Sequence, residues 1–196
     1  ACGQWGKEVS PLCFVEQYKQ MQDMLGLQAC MLHAGEHHLQ AGVSQEEYQG
    51  LKSMEEAVKV IHCRRIGHGI EAVKNLDLCQ LLREENICLE ICPISNLRLG
   101  YGNSCVSQQH GGSETKTHQI ETLLKLGVAC CLASDDPAYF GASSSQGLLR
   151  EYEYGRHVIK LTDNQLAMCA KNSMIYSMAP EDIIQNAVGD IDVWLS

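Results

Sequence analysis

Short apolar stretches alternate along the chain with polar, glycine-bearing junctions and then with helix-like segments. Residues 27–32 read as a strand ending at His33. Residues 63–66 read as a shorter one ending at Gly67-His68-Gly69, and residues 87–91 as one ending at Cys92-Pro93. Residues 128–133 form a continuous apolar run that stops at Ser134-Asp135-Asp136-Pro137. Helical patterns lie between these strands. Ser53-Met54-Glu55-Glu56 has the spacing of a reciprocal cap ahead of an apolar-periodic run over 57–61. Residues 76–84 read as a helix, and residues 121–126 close another, with Gly127 as its stop. Further helices are predicted over about 148–161, 164–170 and 181–187. Strand followed by helix, repeated, argues for a parallel sheet with helices outside it. Strands without polar alternation suit a sheet covered on both faces. Only residues 100–117 break the rhythm: rich in glycine, serine and glutamine, they are expected as an irregular surface loop.

Composition narrows this picture. With 196 residues, 45% of them hydrophobic, the chain can bury one sizeable core and is too short for two ordinary domains. A net charge of −9, with no basic run longer than Arg64-Arg65, disfavours nucleic acid as a partner. No apolar run approaches the ~18 residues of a membrane span, so no membrane partner is expected. The 11 cysteines contain no C-x-x-C pair, which removes zinc-ribbon spacing. Several lie inside apolar runs, as in Val128-Ala129-Cys130-Cys131-Leu132, where thiols behave as small hydrophobes. Reduced thiols and a cytoplasmic location are the expectation, with a secreted form as the alternative.

The candidate chemistry sits at the strand ends. Singly, a terminal histidine or an Asp-Asp-Pro turn is ordinary structure. Together, His33 with Glu36, then His68, then Asp135 with Asp136, each close a predicted strand. Metal ligands and proton-transfer groups are thereby supplied to one rim of a parallel sheet. The other histidines (His37, His38, His62, His110, His118 and His157) read as loop or helix positions without that convergence.

His33-Ala34-Gly35-Glu36, Arg65-Ile66-Gly67-His68-Gly69, Glu90-Ile91-Cys92-Pro93-Ile94-Ser95-Asn96 and Ser134-Asp135-Asp136-Pro137 resemble, in order and spacing, the motifs of adenosine deaminases. Trp5-Gly6-Lys7-Glu8 is a weaker match to a further family segment. The resemblance implies a partial TIM (β/α)8 barrel, running from about strand four to strand eight and ending in C-terminal helices. Residues 1–196 would then be a single, N-terminally incomplete domain. It implies one Zn2+, with His33 and Asp135 as ligands. Glu36 would be the acid that protonates purine N1, and His68 the group that orients and deprotonates the attacking water. Asp136 would bond purine N7, and the Gly6 backbone would meet N3.

Elementary chemistry supports these roles. Zinc lowers the pKa of a water it binds from 15.7 to about 7. Attack at C6 places charge on N1, so an acid there favours the transition state over the ground state. Adjacent aspartates can both stay ionised beside a metal. The family also uses a His-x-His pair on its first strand, which this sequence does not contain. Two ligands fall short of the usual three, so the expectation is part of a longer chain, with the 196 residues alone not completing the site. The expected reaction is deamination of adenosine or deoxyadenosine, a small-molecule nucleoside. Adenine or an N6-substituted purine nucleotide is the alternative substrate. A non-catalytic, growth-factor-like binding protein is the alternative class.

Overall fold

The computed structural model describes residues 10–25, 31–36, 50–101, 106–110, 113–139 and 146–196, in a chain that divides into two compact units, Ala1–Glu90 and Ile91–Ser196. In the first unit Ser10 caps a 3-10 turn, Pro11–Phe14, by accepting the Leu12 N–H at 3.2 Å, and α1 (Val15–Leu25) follows. Then come β1 (Met31–Ala34), α2 (Gly50–Lys59), β2 (Arg65–His68), a 3-10 turn over Ile70–Lys74, α3 (Leu76–Glu84) and β3 (Cys88–Ile91). β1 and β2 are parallel, with Leu32 opposite Ile66 and Ala34 opposite His68. β2 and β3 are parallel, with Gly67 opposite Glu90. Ile66, Gly67 and His68 are consecutive and all buried, which is why β2 shows no polar alternation. Met54 and Ala57 from α2 and Leu78 and Leu82 from α3 fill the core beside Leu32, Ile66 and Leu89.

α3 has the boundaries its sequence pattern predicts, because Asn75 caps it, Oδ1 accepting the Leu78 N–H at 3.0 Å. The predicted cap at Ser53 is not one. Gly50, Leu51 and Lys52 are already helical, and the Ser53 hydroxyl is buried with no hydrogen-bond partner among the described residues. Burial of Met54, Ala57 and Val58 places this helix, and the capping spacing is coincidental. A reciprocal cap does form elsewhere, between Thr162 and Gln165.

The second unit opens on the last residue of β3. It contains α4 (Pro93–Arg98), β4 (Val106–His110), β5 (Ser113–Thr117), α5 (Gln119–Lys125), β6 (Ala129–Leu132), α6 (Gly147–Tyr154), a π-helical turn Gly155–Ile159, α7 (Asp163–Ile175) and α8 (Glu181–Leu195). The Ala133 N–H, just past β6, donates to Ile91 O at 2.9 Å, and the sheet order is β1-β2-β3-β6. These four strands stand where the sequence places strands five to eight of a β/α barrel. The expected strand-four segment near Trp5 lies outside the described residues.

Within residues 100–117, expected as an irregular loop, Val106–His110 and Ser113–Thr117 are strands, while residues 102–105 and 111–112 lie outside the described residues. β4 and β5 pair there antiparallel, from Val106 opposite Thr117 to His110 opposite Ser113. A ribbon with few apolar residues gives no hydropathy signal, because its backbone ladder does not show in the hydrophobic pattern of the sequence. α7 packs on β6, where Asn172 Nδ2 donates to Cys130 O at 2.9 Å. Gly127 takes φ 76 after α5, as a helix stop should. Among the described residues Cys63, Cys79, Cys88, Cys92, Cys130, Cys131 and Cys169 are buried. No helix of the described residues is long and apolar enough to cross a membrane.

Candidate active site

In the first unit, the ends of β1 and β2 bring three of the sequence-selected residues together. His33 is the third residue of β1, and its ring meets the His68 ring edge-on, with centroids 5.1 Å apart at 79°. Glu36 and His68 are both buried, and a Glu36 oxygen lies 3.7 Å from His68 Nε2. That separation is electrostatic rather than a direct hydrogen bond. One donor atom each from His33, Glu36 and His68 falls within 4.8 Å of the others.

The glycines of the two motifs create this arrangement. A Cβ on Gly67 would sit 2.5 Å from His33 Cδ2, so the imidazole occupies space that only glycine leaves open. Gly35 and Gly69 take φ 67 and 69, and His68 itself takes φ 62. A left-handed histidine costs about 1–2 kcal/mol and persists only where its surroundings fix it. Here two backbone bonds do so: the Gly69 N–H donates to Ala34 O at 3.0 Å, and the Glu71 N–H to Gly35 O at 3.2 Å. Beneath the turns, Met54 packs so closely that its Sδ takes the space a Gly35 Cβ would need. Arg65, in the same motif, donates to Glu90 at 2.5 Å.

In the second unit, Asp135 follows β6 in a left-handed conformation, φ 53. Its Oδ2 accepts a hydrogen bond from the fully buried Ser95 hydroxyl at 2.6 Å. Asp136 is exposed, and its carbonyl accepts the Tyr139 N–H at 2.9 Å in the turn that follows. Glu151 on α6 is buried, and its Oε2 accepts the Ile94 N–H at 3.1 Å. Burial pushes its carboxyl up to about 7, and the charge of Asp135 adds to this. The Ile94 N–H and Arg150 act in the opposite direction. Gly6 lies outside the described residues.

Sequence reading does not single out Ser95, Met54 or Glu151. Ser95 stands inside a quoted motif, but its role depends on Asp135, distant in the chain. Glu151 leaves one trace: Gly147, Glu151, Gly155 and Ile159 are buried at spacing four, an acidic residue within an inward stripe.

The adenosine deaminase family profile matches residues 12–194. A Streptomyces virginiae protein named as an adenosine/adenine deaminase is 32% identical over 150 residues, covering 76% of this chain and 40% of its own length. The adenosine deaminase of Aliivibrio fischeri is 30% identical over 161 residues, covering 82% of this chain and 40% of its own. The crystal structure of adenine deaminase from Arthrobacter aurescens superimposes with a TM-score of 0.74 at 27% identity, covering 95% of this chain and 49% of that one. The chain thus spans less than half the length of these relatives. With its profile match running through both units and its strand-end motifs in family order, the chain belongs to the adenosine deaminase family.

Proposed function

We propose that the protein containing this chain is a zinc-dependent hydrolase that deaminates adenosine or deoxyadenosine to the inosine product and ammonia. The observation that carries this reading is the pairing of buried Glu36 with buried His68 at 3.7 Å, beside His33. The donor set suits zinc: imidazole nitrogen and carboxylate oxygen are its ordinary ligands. His33 and Asp135 would hold the metal, with the Ser95 hydroxyl fixing one Asp135 oxygen. Zinc, when bound, supplies Lewis acidity and a water acidified toward neutral pKa.

The chain's own residues do the rest. His68 accepts a proton from the water that attacks C6. Glu36, protonated at the start, delivers its proton to N1 as charge develops there. The proton held on His68 passes to the C6 amino group, the C6–N bond breaks and ammonia leaves, and the remaining C6 hydroxyl proton returns to Glu36 as the carbonyl forms. Asp136 would bond N7, and the Gly6 backbone N3, which orients the purine edge-on.

Adenine is the second reading, favoured by the likeness to the Arthrobacter aurescens adenine deaminase over 95% of this chain. The test incubates the full-length protein separately with adenosine, adenine and AMP and measures ammonia. Release from adenosine and not the others supports the proposal, and release from adenine alone replaces it with the second reading. Glu36→Gln should keep zinc and lose most turnover. Near-normal turnover in that variant removes Glu36 from the mechanism.

A further inference from the structure

α4 is six residues long, begins with Pro93, and its N-cap residue, Cys92, makes no side-chain capping bond. A helix start normally satisfies its open N–H groups with a Ser, Thr, Asp or Asn just before it. Here the acceptor comes from 57 positions away: Glu151 Oε2 takes the Ile94 N–H. The next residue, Ser95, donates to Asp135 Oδ2 at 2.6 Å. Glu151 and Ser95 are buried at 3% and 0% exposure, so neither can swing to solvent and be replaced by water. A carboxylate spent deep in a unit on one backbone N–H is costly unless that bond sets something that matters.

We propose that Glu151 is a positioning residue, acting as a remote cap that fixes α4 so that the Ser95 hydroxyl holds the Asp135 carboxylate in its ligating orientation. The mechanism needs reach and an acceptor oxygen, and it does not need charge. Glutamine at 151 keeps both length and an acceptor. Aspartate keeps the charge but is one methylene too short to reach the Ile94 N–H at its present position. This inference rests on the reading of Asp135 as a zinc ligand, and its test separates the two.

Zinc affinity of the full-length protein is measured by competition with a chromophoric chelator, alongside thermal melting of the metal-free protein. Loss of an outer-shell partner typically costs about 10–100-fold in metal affinity. Glu151→Asp and Glu151→Ala should each lose at least about tenfold, while Glu151→Gln stays within about threefold of the parent. Ser95→Ala should show a similar loss, and Glu151→Asp combined with Ser95→Ala no greater loss than Ser95→Ala alone, because both act through one chain of contacts.

Normal zinc affinity in Glu151→Asp, a loss in Glu151→Gln matching that in Glu151→Ala, or multiplying losses in the double variant would each overturn the proposal, whatever the melting temperatures. Asp135→Ala is the separating arm. If it binds zinc normally, the ligand assignment fails and takes this inference with it. If it binds weakly while Glu151→Asp binds normally, only this inference fails.

Discussion

Replacing Gly67 with alanine tests the site at its tightest contact. The new Cβ would lie 2.5 Å from His33 Cδ2 and 3.1 Å from both Cγ and Nε2. Carbon atoms pack at about 3.5–4.0 Å, so the imidazole must retreat by roughly 1 Å. Gly67 is not among the residues at positive φ, so alanine brings no backbone strain and the cost is steric alone. Retreat is obstructed on the His68 side, where the rings already meet edge-on at 5.1 Å. Overpacking of this kind costs about 1–3 kcal/mol of stability. The effect on metal should exceed the effect on folding, because ligand distances tolerate only about 0.2 Å. A displacement of about five times that tolerance predicts a zinc affinity reduced by at least 10–100-fold, about 1.4–2.7 kcal/mol. Chelator competition on the full-length protein reads the affinity, and a metal-free thermal melt reads the fold. A lower melting temperature with zinc affinity within twofold of the parent would mean that His33 moved without consequence, and would refute its assignment as a ligand.

His118 caps α5 with its imidazole, Nδ1 accepting the Ile120 N–H at 3.3 Å, and burial lowers its pKa from 6.5 to about 4. The fold therefore keeps it neutral. Its stabilising contribution is complete above pH 6.5 and is lost as pH falls through about 4, a difference of at most about 3 kcal/mol. His118→Asn retains a capping acceptor without the titration, so it should flatten the stability–pH curve between pH 6.5 and 4; an unchanged slope in urea titrations would count against this. Gly69→Ala combines a left-handed φ of 69 with a Cβ 2.7 Å from Leu89 Cδ2, and should destabilise by about 2–4 kcal/mol. A denaturant midpoint shifted by less than 1 kcal/mol equivalent would show that the turn relaxes freely. Asn172→Ala removes the amide that donates to the Cys130 carbonyl and should cost about 1 kcal/mol, read from the same titration; a neutral result would mean that this bond adds nothing net to the packing of α7 on β6.

The order of the four parallel strands, the extent of α3, the stop at Gly127 and the motifs that mark the family are legible in the sequence alone, although residues 27–30, expected to begin the first strand, lie outside the described residues. Each depends on residues near one another along the chain: an apolar run long enough to cross a sheet, an asparagine one position before a helix, a glycine where φ must be positive. The sequence equally picks out His33, Glu36 and His68, which the structure brings close together around the ends of β1 and β2. What it does not determine is which oxygen or N–H each side chain meets. Ser53 has the capping spacing yet lies buried inside a helix, since the burial of Met54 and Ala57 governs that segment. The β4–β5 ribbon is held by a backbone ladder that hydropathy does not register. The cap on α4 is a glutamate 57 residues away on another helix. Local patterning fixes elements because its interactions are short-range in sequence. Packing decides the partners of the site, because a buried polar group must find its complement wherever the folded chain happens to bring one.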